Sequence, residues 1–117
     1  MTRYFGLALA LMMFGCNGAD DDGGKGTTSE VDAILALTAD TANGATLYDG
    51  NCALCHADDG SGFEGLGSNI QTETDEALVV ESVLNGNDEG MTAFADILTD
   101  QEIADVSGFV TTGGLAP

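Results

Sequence analysis

Cys52-Ala53-Leu54-Cys55-His56 is the stretch that decides how this chain is read. On one helical turn, two cysteines three residues apart differ by about 4.5 Å in rise, so both sulfurs lie on one side. His56 follows Cys52 by four residues and falls on the same side. Two thiols and an imidazole arranged in this way suit one flat ligand. Other chemistries use parts of the pattern. A thioredoxin-like redox pair needs strand-helix-strand alternation around it, which is missing here. A zinc site needs four ligands, and no second Cys or His pair exists. A structural disulfide between Cys52 and Cys55 is the plainest alternative.

C-x-x-C-H is also the attachment pattern of c-type haem, in which each thiol forms a thioether with a vinyl group and the imidazole takes the fifth iron position. The remaining iron ligands follow from a census. Methionines stand at 1, 12, 13 and 91, and the first three belong to an N-terminal leader. Once the leader is removed the chain keeps one Met, one His, one Lys and no Arg. Met91 is therefore the candidate sixth ligand. A single Met is usually core filler. This one follows Gly90 in a polar stretch outside any apolar periodicity. A thioether favours ferrous iron and raises the potential, as an electron-transfer haem requires.

Around the motif the pattern is helical. Asp40 or Thr41 can cap a helix to about Cys52 that gathers Gly44, Leu47, Tyr48 and Asn51. Thr72 and Thr74 are candidate caps for a second helix, with Asp75 and Glu76 in its first turn, Val79, Val80, Val83 and Leu84 along it, and Gly86 ending it. Thr99-Asp100-Gln101-Glu102 reads as a capping box, followed by Ile103, Val106, Phe109 and Val110 until Gly113. Val31, Ile34, Leu35 and Leu37 form a short apolar segment. Residues 57–69 read as a loop in which Gly60, Gly62, Gly65 and Gly67 let the backbone pass close to a flat group.

The N-terminus reads differently. Arg3 precedes the apolar run Tyr4 to Phe14, which is too short to cross a hydrocarbon core of about 30 Å but suits a secretory leader. Met13-Phe14-Gly15-Cys16 resembles the lipobox of bacterial lipoproteins, in which cleavage precedes a Cys that carries lipid. The expected organisation is a lipoprotein-type signal peptide over 1–15, a flexible acidic tether over 16–30 and a folded domain over 31–117. The protein is thus expected to be exported to the periplasm or cell envelope and held to a membrane through Cys16. With 2 basic against 20 acidic residues in 117, the net charge of −18 excludes electrostatic binding of nucleic acid. Tryptophan is absent, so a small core lacks its largest rings and something else is expected to fill it.

Taken together these residues make the span from Ala39 to Gly114 resemble a class I monohaem cytochrome c. The matching pieces are Gly44-Ala45-Thr46-Leu47-Tyr48, Cys52 to His56, Asp59-Gly60-Ser61-Gly62, Met91-Thr92-Ala93-Phe94, and Leu98 through Val106. Val31 to Thr38 has no counterpart. The resemblance implies an all-α fold of three main helices wrapped around one covalently bound haem c, the first and last crossing at Gly44 with Tyr48 and Phe109 at the contact. It implies Cys52 and Cys55 as attachment points and His56 and Met91 as iron ligands. Two departures stand out. The family usually has Pro after the Gly at position 67, with a carbonyl that accepts a hydrogen bond from the ligating His. Here Ser68 stands there, which leaves the orientation of His56 open. Thr92 likewise replaces the usual Pro after the Met, leaving that loop less constrained in the unfolded chain.

The function expected is single-electron transfer between a protein donor and a protein acceptor, not catalysis. The rival is a haem enzyme or gas sensor whose sixth iron position opens. With no second His, and no Arg or Trp in the folded part, nothing is on hand to assist peroxide cleavage. A non-redox binding module would leave both the C-x-x-C-H motif and Met91 as coincidence.

Overall fold

The computed structural model describes residues 27–115. The leader, Cys16, most of the expected tether and the terminal Pro117 lie outside them. Five helices follow one another: α1 (Thr28–Leu35), α2 (Thr41–Asn51), α3 (Ala53–His56), α4 (Glu76–Asn85) and α5 (Asp100–Thr111). Among the described residues the only β pairing is an isolated bridge between Phe63 and Gly67.

Each main helix starts where a side chain can satisfy its free N–H groups. The Asp40 carboxylate accepts from the backbone N–H groups of Ala42 and Asn43, both at 3.1 Å. Thr99 and Glu102 form the expected capping box, the hydroxyl accepting from Glu102 N–H and the carboxylate from Thr99 N–H. At α4 the cap differs from the expected Thr72 or Thr74. Asp75 takes the role and accepts from Leu78 N–H at 3.1 Å, while Glu73 Oε1 accepts from the N–H groups of Thr74 and Asp75. That local turn occupies Thr74, so the helix begins after the carboxylate.

α2 packs chiefly on α5, and α4 also packs on α5. The α2–α5 crossing is close because Gly44 has no side chain: a Cβ there would overlap the Asp105 carbonyl oxygen and lie 2.7 Å from Phe109 Cβ. The Tyr48 and Phe109 rings meet beside it, with centroids 5.7 Å apart and tilted at 53°. Ile34, Val80, Leu84, Ile103 and Val106 are all but inaccessible to solvent. Burying each aliphatic side chain contributes about 1.5–3 kcal/mol relative to exposure.

α1 is the main surprise. It begins at Thr28 and takes in Ser29 and Glu30, placed by the sequence reading at the end of the tether. It lies on α4 and α5, and its Ile34 belongs to the core.

Candidate functional site

The α2 helix ends at Asn51, and Cys52 begins a second short helical segment. There the N–H groups of Cys55 and His56 both donate to the Cys52 carbonyl, at 3.2 and 3.0 Å. This turn brings both cysteines and the histidine onto one stretch of five residues, as their spacing implied. The two thiols are free, Cys52 half-buried and Cys55 exposed. Burial, and then the neighbouring Cys55, push the Cys52 thiol up to about 11. It is therefore protonated at neutral pH, opposite to the lowered thiol pKa of a thioredoxin-like exchange pair.

His56 is gripped by backbone. Its Nδ1 lies 2.8 Å from the Ser68 carbonyl oxygen, and a carbonyl can only accept, so Nδ1 carries the proton and Nε2 keeps the free lone pair. The carbonyl at position 68 serves whether the residue is Ser or Pro, so the departure at Ser68 leaves the His56 contact intact. The Gly62 N–H donates to the His56 carbonyl at 2.7 Å, folding the loop over the turn. Gly67 makes that approach possible: a Cβ there would overlap the Cys55 carbonyl oxygen and sit 3.0 Å from His56 Nδ1.

One residue beyond His56 the backbone is strained. Ala57 has φ 67 and ψ 161, a region essentially reserved for glycine that costs on the order of 1–3 kcal/mol elsewhere. Its carbonyl accepts from the buried Tyr48 hydroxyl at 2.7 Å and from Gly60 N–H at 3.1 Å.

Met91 lies on the loop after α4, half-buried and packed against the core. Sequence reasoning missed what holds it. The Asn87 Oδ1 accepts from the N–H groups of Glu89 and Met91 at 3.0 and 3.1 Å, while Asn87 N–H donates to the Met91 carbonyl at 3.2 Å. This clamp does locally what a proline after Met91 would do through the unfolded chain. An Asn two to four residues before a key residue in a polar stretch is the available sequence signal.

A hollow of about 480 Å³ is lined by residues 61–68 and Glu89. Ser68 and Glu89, two residues before Met91, thus face one opening, while Cys52, Cys55, His56 and Met91 themselves do not line it. Phe63 and Leu66, on its wall, are 50% and 66% exposed, and Leu54 of the motif is 83% exposed. Two free thiols, an imidazole with one nitrogen available and uncovered apolar side chains fit a flat, largely apolar, iron-bearing ligand.

Comparisons with known proteins agree. A family model described as Cytochrome C oxidase, cbb3-type, subunit III matches residues 39–110. Cytochrome c6 of Thermosynechococcus vestitus is 37% identical over 82 residues, covering 64% of this chain and 71% of that protein. The cbb3-type cytochrome c oxidase subunit FixP of Azorhizobium caulinodans is 28% identical over 127 residues, which cover 86% of this chain but 43% of the relative. Among solved structures, the c-type cytochrome KustC0563 superposes with a TM-score of 0.55 at 23% identity, covering 63% of this chain and 98% of the other. Cytochrome CL of Methylophaga aminisulfidivorans gives 0.56 at 20% identity, over 79% of this chain and 71% of the other. At those identities the superpositions speak for the fold.

Proposed function

The chain belongs to the c-type cytochrome family that the cbb3-type subunit III model describes, and from that membership we propose that His56 and Met91 are the protein ligands of its haem iron and that Cys52 and Cys55 attach the ring. It is an electron-transfer protein with one covalently bound haem c. When bound, the haem supplies a one-electron ferric/ferrous couple. The polypeptide does the rest. The observation that carries the ligand reading is the 2.8 Å contact between His56 Nδ1 and the Ser68 carbonyl, which fixes the tautomer and leaves Nε2 as the ligating atom. Met91 offers a thioether from a loop tied at both its N–H and its carbonyl to Asn87. Such pre-arranged ligands need little reorganisation when one electron arrives or leaves, which suits a carrier.

The test is Met91→Ala. The variant keeps its haem and binds carbon monoxide in the reduced state, because the chain has no other Met or His past the leader to replace the thioether. Unchanged visible absorption together with refusal of carbon monoxide overturns the Met91 assignment. The same titration on the unaltered protein addresses the rival reading, since a haem enzyme or gas sensor binds carbon monoxide without mutation.

Its partners are a redox donor and a redox acceptor, and we assign them basic docking faces, because residues 27–115 contain no Lys or Arg. The chain works outside the cytoplasm, tethered through a lipid on Cys16, a reading supported by the apolar leader and the lipobox-like Met13-Phe14-Gly15-Cys16. A single acyl chain holds a membrane only marginally, so stable anchoring implies more than one chain on that residue. Cys16→Ser then releases the protein from the membrane fraction with its haem spectrum intact. Persistent membrane association in that variant removes the lipid anchor from the account.

A further inference from the structure

A backbone outlier at a functional site persists only where its surroundings over-determine it. Ala57, directly after His56, is the single non-glycine residue with positive φ among the described residues. Its carbonyl receives one side-chain donor, the Tyr48 hydroxyl at 2.7 Å. Tyr48 is 1% exposed, and its ring is fixed where α2 crosses α5, against Phe109 and one turn from Gly44. The phenol thus forms a rigid strut from the helix crossing to the Ala57–Asp58 peptide, one residue beyond the histidine.

We propose that Tyr48 is a positioning residue for His56: by donating to the Ala57 carbonyl it locks the strained turn and so sets the rotation of the imidazole that its backbone carries. The inference rests on His56 being an iron ligand. His56 is then held from two directions, at the ring by the Ser68 carbonyl and at the backbone by Tyr48 through Ala57. The hydroxyl remains a donor throughout the neutral range. Burial first, and then the carboxylates of Asp59, Asp58 and Asp49, push its pKa up to about 12. The contact also couples the α2–α5 crossing to the electronic state of the iron, because imidazole orientation tunes a haem.

The experiment compares the unaltered holoprotein with Tyr48→Phe, Ala57→Gly and the double variant. Three quantities are read: the paramagnetically shifted haem-methyl resonances of the ferric state, which report axial-ligand orientation, the midpoint potential, and the thermal midpoint. Tyr48→Phe keeps the ring packing and removes only the donor. It is expected to change the haem-methyl pattern, shift the potential and lower the thermal midpoint. Glycine at 57 adopts the observed φ and ψ without strain, so the double variant moves all three back toward the unaltered protein. A lowered thermal midpoint with an unchanged methyl pattern and potential would make Tyr48 a packing residue and overturn the proposal. Failure of Ala57→Gly to rescue does the same, including the case in which Tyr48→Phe yields no holoprotein and the double variant yields none either. Hyperfine-shifted imidazole signals of His56 in the unaltered protein test the ligand assignment separately. Their absence removes that assignment whatever Tyr48 does.

Discussion

Asp105 shows what one side chain can decide. It is 3% exposed on α5, in a chain segment without a Lys or Arg to pair with it. Its carboxylate accepts from Asp40 N–H at 2.8 Å, Asn43 Nδ2 at 2.9 Å and Gln101 Nε2 at 2.8 Å. Burial alone would raise its pKa. The hydrogen bonds from Asn43, Asp40 and Gln101 outweigh that and hold the carboxyl below its ordinary value. The sign of the pH dependence follows. A group whose folded pKa is depressed contributes stability that is complete above the unfolded pKa, near 4, and is lost as pH falls through the folded value. The thermal midpoint is therefore expected to drop below about pH 4, and Asp105→Asn, which exchanges an acceptor oxygen for a donor, to destabilise the protein at pH 7 by about 1–3 kcal/mol while flattening that drop. Urea unfolding of both proteins from pH 7 to pH 3 measures it. Equal acid sensitivity in the two would assign the loss to other carboxylates.

The elements divide by how local their causes are. α5 was legible from its capping box and its apolar spacing, and α2 from the Asp40 cap, because these are contacts within a few residues of sequence. α1 was legible only as a short apolar segment. Its N-cap Thr27 makes no side-chain cap bond, and its reason for forming is the burial of Ile34 against α4 and α5. The Met91 loop is intermediate, since its turn is local but depends on the exposed Asn87 side chain folding back onto the N–H groups of Glu89 and Met91. Asn87→Ala removes an acceptor from two exposed backbone N–H groups, a loss of about 0.5–1.5 kcal/mol each. The haem stays attached, and the expected consequence is a looser Met91: carbon monoxide binds the reduced variant faster than the unaltered protein. Stopped-flow mixing checks this, and identical rates would mean that the loop is held by its packing.

At the scale of the whole molecule, charge dominates. From Val31 to Pro117 there are sixteen acidic residues and no Lys or Arg, so every fixed side-chain charge near the haem favours the ferric state. One charge about 15 Å away in water contributes roughly 0.3 kcal/mol, or on the order of 12 mV for one electron. Several such charges add to tens of millivolts at low salt, and a Debye length of about 8 Å at physiological ionic strength removes much of this. The midpoint potential is expected to rise between about 10 mM and 1 M salt. A flat or falling potential would show that the carboxylates are too well solvated to reach the iron. The same field predicts association with a basic redox partner that weakens as salt rises.

The sequence by itself determined the all-α class, the order of the three main helices, the placement of two thiols and an imidazole on one turn, and the acidic character of the molecule. All of these depend on neighbours in the chain or on composition. The tertiary structure decided what crosses between distant segments: the Ser68 carbonyl on His56, twelve residues away, the Asp105 carboxylate on Asn43, sixty-two residues away, and the seat of Ile34 in the core. A backbone carbonyl carries no residue signature, so whether the contact expected after Gly67 survives with Ser68 in place of Pro was decided only by the fold. Nor could the strain at Ala57 be read from letters, because alanine is the residue least able to announce that its φ is positive, and only the buried Tyr48 hydroxyl and the folded loop explain why it is.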